Sequence, residues 1–149
     1  MVLEFKRIIS AGVLAMSLMA CERPAPEVGI RDAITDIEQA ISARDNAGVR
    51  EHLTDDFQGG PGDAAGSLDK RGAQRMLAGY FLRYKNIGVV VTAITVEPLA
   101  HDPEQAWSEA TVVLTGAEGL IPETGRAYSV RGLWQYRDGA WRLAQLGWE

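Results

Sequence analysis

The chain predicts an α+β domain: helices first, then a run of antiparallel strands, with the helices on one side of the sheet. Three observations carry this. Ile30, Ile34, Ile37 and Ile41 recur at helical spacing in the first half. From Ile87 onward the residues turn β-branched and aromatic. Near the end, Asp138-Gly139 stands between two apolar runs, a strong signal for a two-residue hairpin.

The bulk properties bound the rest. A length of 149 residues fits one domain. The composition, 46% hydrophobic and 23% charged, is that of a globular protein and not of a disordered one. A formal charge of −5 argues against a nucleic-acid partner, which would call for a basic surface. It is the ordinary charge of a soluble domain. No apolar run reaches the roughly 18 residues a spanning helix needs.

The amino terminus has its own pattern. Lys6 and Arg7 precede a mostly apolar stretch, Ile8 to Ala20, and then comes Cys21. A basic start, a short apolar stretch and small residues before a break are the layout of a secretory signal peptide. The stretch has no polar stripe, and the prolines and charges of ERPAPE follow it at once, so a buried first helix fits poorly. Leu18-Met19-Ala20-Cys21 resembles the lipobox of bacterial lipoproteins, although Met19 departs from the Ser, Thr, Ala or Val more usual there.

That resemblance implies cleavage before Cys21 and a diacylglycerol on its thiol. It also implies that Glu22, not being Asp, directs the chain to the outer membrane, facing the periplasm. The cysteine count agrees. Cys21 is the only cysteine, and a free thiol would be a liability in an oxidising compartment. Acyl chains hold a protein at a membrane by about 0.8 kcal/mol per buried CH₂, so two or three chains make a durable anchor. The expected organisation is a signal peptide over 1–20, a lipidated cysteine and tether over 21–29, and the domain over 30–149.

Within the domain, the isoleucine stripe predicts an amphipathic helix from Ile30 to about Arg44. Asp45 or Asn46 caps a second, shorter helix ending near Leu53. GGPGDAAG, residues 59–66, reads as a flexible glycine-rich turn; it lacks the lysine and spacing of a phosphate-binding loop. Ser67 or Asp69 caps a third helix, with Ala73, Leu77, Tyr80 and Tyr84 on its inner face and Met76 and Phe81 flanking. Four strands follow, over IGVVVTAITVEPL, QAWSEATVVLTG, AYSVRGLWQYR and AWRLAQLGWE.

The hairpin turn sets the register of the last two strands, placing Arg137 opposite Ala140, Tyr136 opposite Trp141 and Trp134 opposite Leu143. One face then carries Tyr128, Val130, Trp134, Tyr136, Trp141 and Leu143, with Gln145 as its polar exception, and is the core face. The other carries Ser129, Arg131, Leu133, Gln135, Arg142, Ala144, Leu146 and Trp148. Its mixed character suits plain solvated surface or an interface for a homodimer or partner.

The first helix IRDAITDIEQAISARD, the short helix running into LTDDFQG, and the closing pair GLWQYRDGAWRLAQLGW resemble the SnoaL-like, or NTF2-like, superfamily. The resemblance implies three helices and a curved antiparallel sheet forming a cone around a pocket. Some members are lyases, isomerases or hydrolases that use a buried acid–base pair. Here His52, Asp56, Tyr80, Tyr84, Glu109 and Gln145 form no recognisable catalytic motif. With two histidines and no cysteine in the domain, neither a metal nor another cofactor is implied.

The expected role is a non-catalytic envelope lipoprotein binding a small apolar ligand or a protein partner. His52, Tyr80, Tyr84, Trp134 and Gln145 are the candidate pocket residues. The alternative is a lyase or isomerase acting on a small apolar substrate.

Overall fold

The computed structural model describes residues 23–62, 66–117 and 124–149. The expected signal peptide, with Cys21 and Glu22, lies outside the described residues, as does the middle of the GGPGDAAG segment.

Helix α1 runs Pro26–Ser42 and begins four residues before Ile30. Pro26 opens the helix instead of breaking it, because the first turn needs no amide donor and favours proline's fixed φ. Helix α2, Asn46–Glu51, is capped by the Asp45 carboxylate, which accepts the Gly48 amide. Strands β1, Leu53–Pro61, and β2, Leu68–Asp69, come next. Helix α3, Lys70–Arg83, is capped by Asp69 through the Gly72 amide. Four long strands close the chain: β3 Asn86–Leu99, β4 Asp102–Ala117, β5 Thr124–Arg137 and β6 Ala140–Trp148.

The six strands form one sheet in the order β2-β1-β6-β5-β4-β3. This corrects two expectations. The chain does not finish its helices before starting its strands, since β1 and β2 precede α3. The sheet is also not purely antiparallel, because β1 runs parallel to β6, with Gly59 opposite Leu146 and Pro61 opposite Trp148. Gly59, Gly60 and Pro61, poor strand formers by propensity, are strand because the β6 backbone supplies their ladder.

The Asp138-Gly139 turn is a hairpin with both residues at positive φ, 53° and 78°, and the expected register holds from Arg137↔Ala140 to Trp134↔Leu143. A bulge then intervenes: Trp134 pairs with Leu143, but Leu133 pairs with Gln145. One extra residue, Ala144, reverses every later side chain of β6. Gln145 thus moves to the open face and is exposed. Leu146 and Trp148, expected on the open face, pair with Gly132 and Val130 on the core face, where Leu146 packs against the core. The polar exception on the core face disappears with it.

The core gathers Ile30, Ala33 and Ile34 of α1, Leu53 and Phe57 of β1, Ala73 of α3, and Ala106, Trp134, Trp141 and Leu143 of the sheet. Gly29 lets α1 lie on Trp141: a Cβ there would stand 2.5 Å from Trp141 Cδ1. Helix α1 also covers the exposed edge of the sheet. Arg31 donates to the Ile94 carbonyl at 2.7 Å and Glu38 accepts the Val91 amide, on either side of a bulge at Ala93, which has φ 52°. On the open face, the Arg131 guanidinium lies 4.3 Å from the Trp107 ring centroid and pairs with Glu109 at 3.7 Å.

Candidate functional site: the open end of the concave face

Strand β4 shows how the core face ends. Its concave residues run Ala106, Ser108, Ala110, Val112 and Leu114. Ala106 is 0% exposed and Leu114 is 38% exposed, so one strand passes from sealed core to solvent within eight residues. At the sealed end, Ser108 Oγ accepts the Trp134 indole at 2.8 Å, satisfying the one polar atom of that ring. At the other end no helix is drawn down onto the sheet in the same way, because α3 packs mainly on β1, β2 and α2.

The open end is lined by aromatic rings and arginines. Tyr80 and Tyr84 of α3 stack with centroids 6.2 Å apart. Tyr84 lies against Gly116 of β4, where a Cβ would come within 3.1 Å of the ring. Arg126 pairs in register with Leu114, and its guanidinium lies 6.0 Å from the Tyr128 ring centroid. Hydrogen bonding to the Tyr128 hydroxyl, with Tyr80 nearby, pushes the Arg126 guanidinium above its usual range. Arg83 sits 5.4 Å from the Tyr84 ring centroid, adding a second cation–π contact. Val112, Val130 and Trp148 continue this wall inward and are half-buried.

Among the described residues, the open end of the concave face, at Val112, Leu114, Arg126, Tyr128, Val130 and Trp148, carries no Asp, Glu or His, and no three His, Cys, Asp or Glu groups stand together as a metal site. The arrangement can hold an apolar body against tyrosine and aliphatic walls, with Arg126 at the rim.

The five candidate residues divide. Tyr80, 50% exposed, and Tyr84 stand together at the open end. Phe81, expected to flank, is the aromatic of α3 that is buried. Trp134 is a core residue, 2% exposed. Gln145 is on the opposite face. His52 ends α2 and lines a separate groove of about 330 Å³ between α1 and α2, with Asp36, Asp45 and Glu51; its Nε2 is 3.9 Å from Asp36. Asp56 pairs with Arg137 at 3.4 Å and Glu109 with Arg131, both at the surface. Sequence reasoning missed Arg126, Tyr128 and Leu114 as a group. The alternation of β5 put Arg126 in phase with Tyr128 and was the available signal.

No family model matches the chain, and no curated protein matches it. Solved structures do. The chain is similar to a protein described as a candidate scytalone dehydratase from Novosphingobium aromaticivorans DSM 12444, with a TM-score of 0.70 at 10% identity over 83% of this chain and 82% of the other. It is similar to an NTF2-like protein from Cytophaga hutchinsonii ATCC 33406, with a TM-score of 0.65 at 14% identity over 83% and 96%. The fold is NTF2-like. The chain is also similar to the hexachlorocyclohexane dehydrochlorinase LinA-type3 from Novosphingobium barchaimii LL02, with a TM-score of 0.66 at 17% identity over 83% and 84%. At such identities the likeness concerns the NTF2-like fold and leaves the chemistry to this chain's own residues.

Proposed function

We propose that the chain is a lipid-anchored protein of the cell envelope, acylated at Cys21 and facing the periplasm from the outer membrane. Its NTF2-like domain is a non-catalytic binder of a small apolar ligand, taken up at the open end of the concave face. The observation that carries the binding reading is the group formed by exposed Leu114 and Tyr80 with half-buried Tyr84 and Tyr128, on a face whose other end is tightly packed. Apolar side chains left open on a concave wall are stabilised when a ligand removes them from water, by about 25 cal/mol per Å².

The alternative, a lyase or isomerase on a small apolar substrate, draws on the likeness to the dehydrochlorinase and the candidate dehydratase. It needs an acid–base pair at the mouth. The described concave face supplies an arginine and tyrosines, which favours binding over proton transfer.

The test is extraction of the purified chain followed by mass spectrometry, with a fluorescent apolar probe as a second readout. The expected result is a co-purified apolar molecule or saturable probe binding, weakened by Tyr80→Ala. A chain that carries nothing and binds no probe sinks the reading. The anchor is checked separately: labelled palmitate enters the wild type and not Cys21→Ser. Sedimentation reads whether two copies pair through the open sheet face.

A further inference from the structure

A second feature lies on the helical side, away from the concave mouth. Arg50 of α2 and Arg71 and Arg75 of α3 line a groove of about 370 Å³, together with Asn46, Gln74 and Ala78. The protein is acidic overall, yet none of these three arginines has a carboxylate partner among the described residues. Five other described cations do pair with carboxylates: Arg23 with Glu104, Arg31 with Glu27, Lys70 with Asp55, Arg131 with Glu109 and Arg137 with Asp56.

The helix that presents two of them is electrostatically unfavourable without a counterion. Arg71 and Arg75 are four apart on one face, a repulsive spacing for like charges. Arg71 also lies in the first turn of α3, at the positive end of the helix dipole, and that turn contains no acidic residue. The Asp69 cap is committed to the Gly72 amide at 2.6 Å.

One more polar group points to a ligand. Asn46 donates its Nδ2 to the Gln74 carbonyl at 2.9 Å, which fixes the amide's orientation. Its Oδ1 is then buried without a hydrogen-bond partner, and Asn46 is one of the residues that line the groove. A buried acceptor without a donor costs about 1–3 kcal/mol. Three guanidinium groups call for an oxyanion, and the acceptor among them calls for a ligand that also carries an O–H.

We propose that the α2–α3 groove binds a phosphate group that retains a proton, either inorganic phosphate or a phosphate monoester headgroup. Arg50, Arg71 and Arg75 hold its oxygens, and Asn46 Oδ1 accepts its hydroxyl. Both sources share this chemistry. This site is separate from the apolar mouth, and its test does not depend on that reading.

The experiment uses the full chain in nonionic detergent, titrated calorimetrically with inorganic phosphate and, at equal ionic strength, with sulfate, which has no proton to give. Mixed micelles containing phosphatidic acid or phosphatidylcholine supply the headgroup arm. Phosphate is expected to bind saturably and more tightly than sulfate, and Arg71→Gln/Arg75→Gln to weaken it by about tenfold or more. Arg131→Gln, on the opposite side of the sheet, leaves phosphate binding unchanged. At low salt without phosphate the double variant melts at or above the wild-type temperature, because a repulsion has been removed, which separates lost binding from lost folding. Binding of phosphatidic acid alone assigns a lipid headgroup; binding of phosphate alone assigns a soluble ligand. Absence of binding in both arms, or equal binding by wild type and double variant, overturns the proposal.

Discussion

The two ends of the concave face are made from the same strands and differ in what covers them. At one end Ala106, Trp134, Trp141 and Leu143 meet α1 through Ile30 and Ile34 and are buried. At the other, Leu114, Arg126 and Tyr128 meet the outer part of α3, where Tyr80 stays half exposed. The sealed end uses small residues where the packing is closest: Gly29 under Trp141 and Ala106 beside Trp134 in register. The open end keeps large residues that the described chain covers only in part. The difference assigns stability to one end and recognition to the other, because a tightly packed wall has no free energy left to offer a ligand.

Truncation should break the symmetry between the ends most visibly. Trp134→Ala is expected to cost about 3–5 kcal/mol in denaturant unfolding, as for a large buried aromatic, whereas Leu114→Ala costs about 0.5 kcal/mol. Equal losses would mean that the open end is core after all. Overpacking probes the sealed end from the other direction. Gly29→Ala places a methyl 2.5 Å from Trp141 Cδ1, a strain of about 1–3 kcal/mol, partly offset by about 1 kcal/mol of helix propensity. A net fall in thermal midpoint is expected; a rise would show that Trp141 yields freely.

Smaller still is the loss of one bond. Ser108→Ala orphans the buried Trp134 indole N–H and is expected to cost about 1 kcal/mol, with a shift in tryptophan fluorescence. The smallest effect concerns pH at the turn that leads into β4. The Gln105 amide, at 2.6 Å from Asp102, and then the Glu104 N–H, at 2.9 Å, hold the Asp102 carboxyl below its ordinary value of 3.8. A depressed folded value gives a contribution present above the ordinary aspartate range and lost as pH falls through the depressed one. An NMR titration should place the Asp102 midpoint below 3.8, and Asp102→Asn should remove that part of the acid sensitivity while leaving both ends of the concave face intact.

Much of this arrangement was legible beforehand because it is local. Helix starts follow from Asp45 and Asp69 as caps, and the final hairpin follows from Asp138-Gly139. The site was only partly legible. Tyr80 and Tyr84 share a helical face by spacing alone, but Phe81 took the buried position because α3 leans on β1 and β2, which no periodicity announces. His52 went to a groove between helices because α1 passes beside the end of α2.

What the sequence determined by itself is whatever depends on residues a few positions apart: helix phase, caps, the hairpin turn and the pairing next to it. Tertiary structure decided the rest. It made a strand of Gly59, Gly60 and Pro61 by giving them β6 to pair with. It inserted Ala144 as a bulge, putting Gln145 outside and Leu146 inside. It also brought Arg50 beside Arg71 and Arg75 from a different helix. The physical reason is common to all three. A backbone hydrogen bond, a register and a field of like charges each depend on a partner distant in the chain, and that partner exists only once the sheet and helices have assembled.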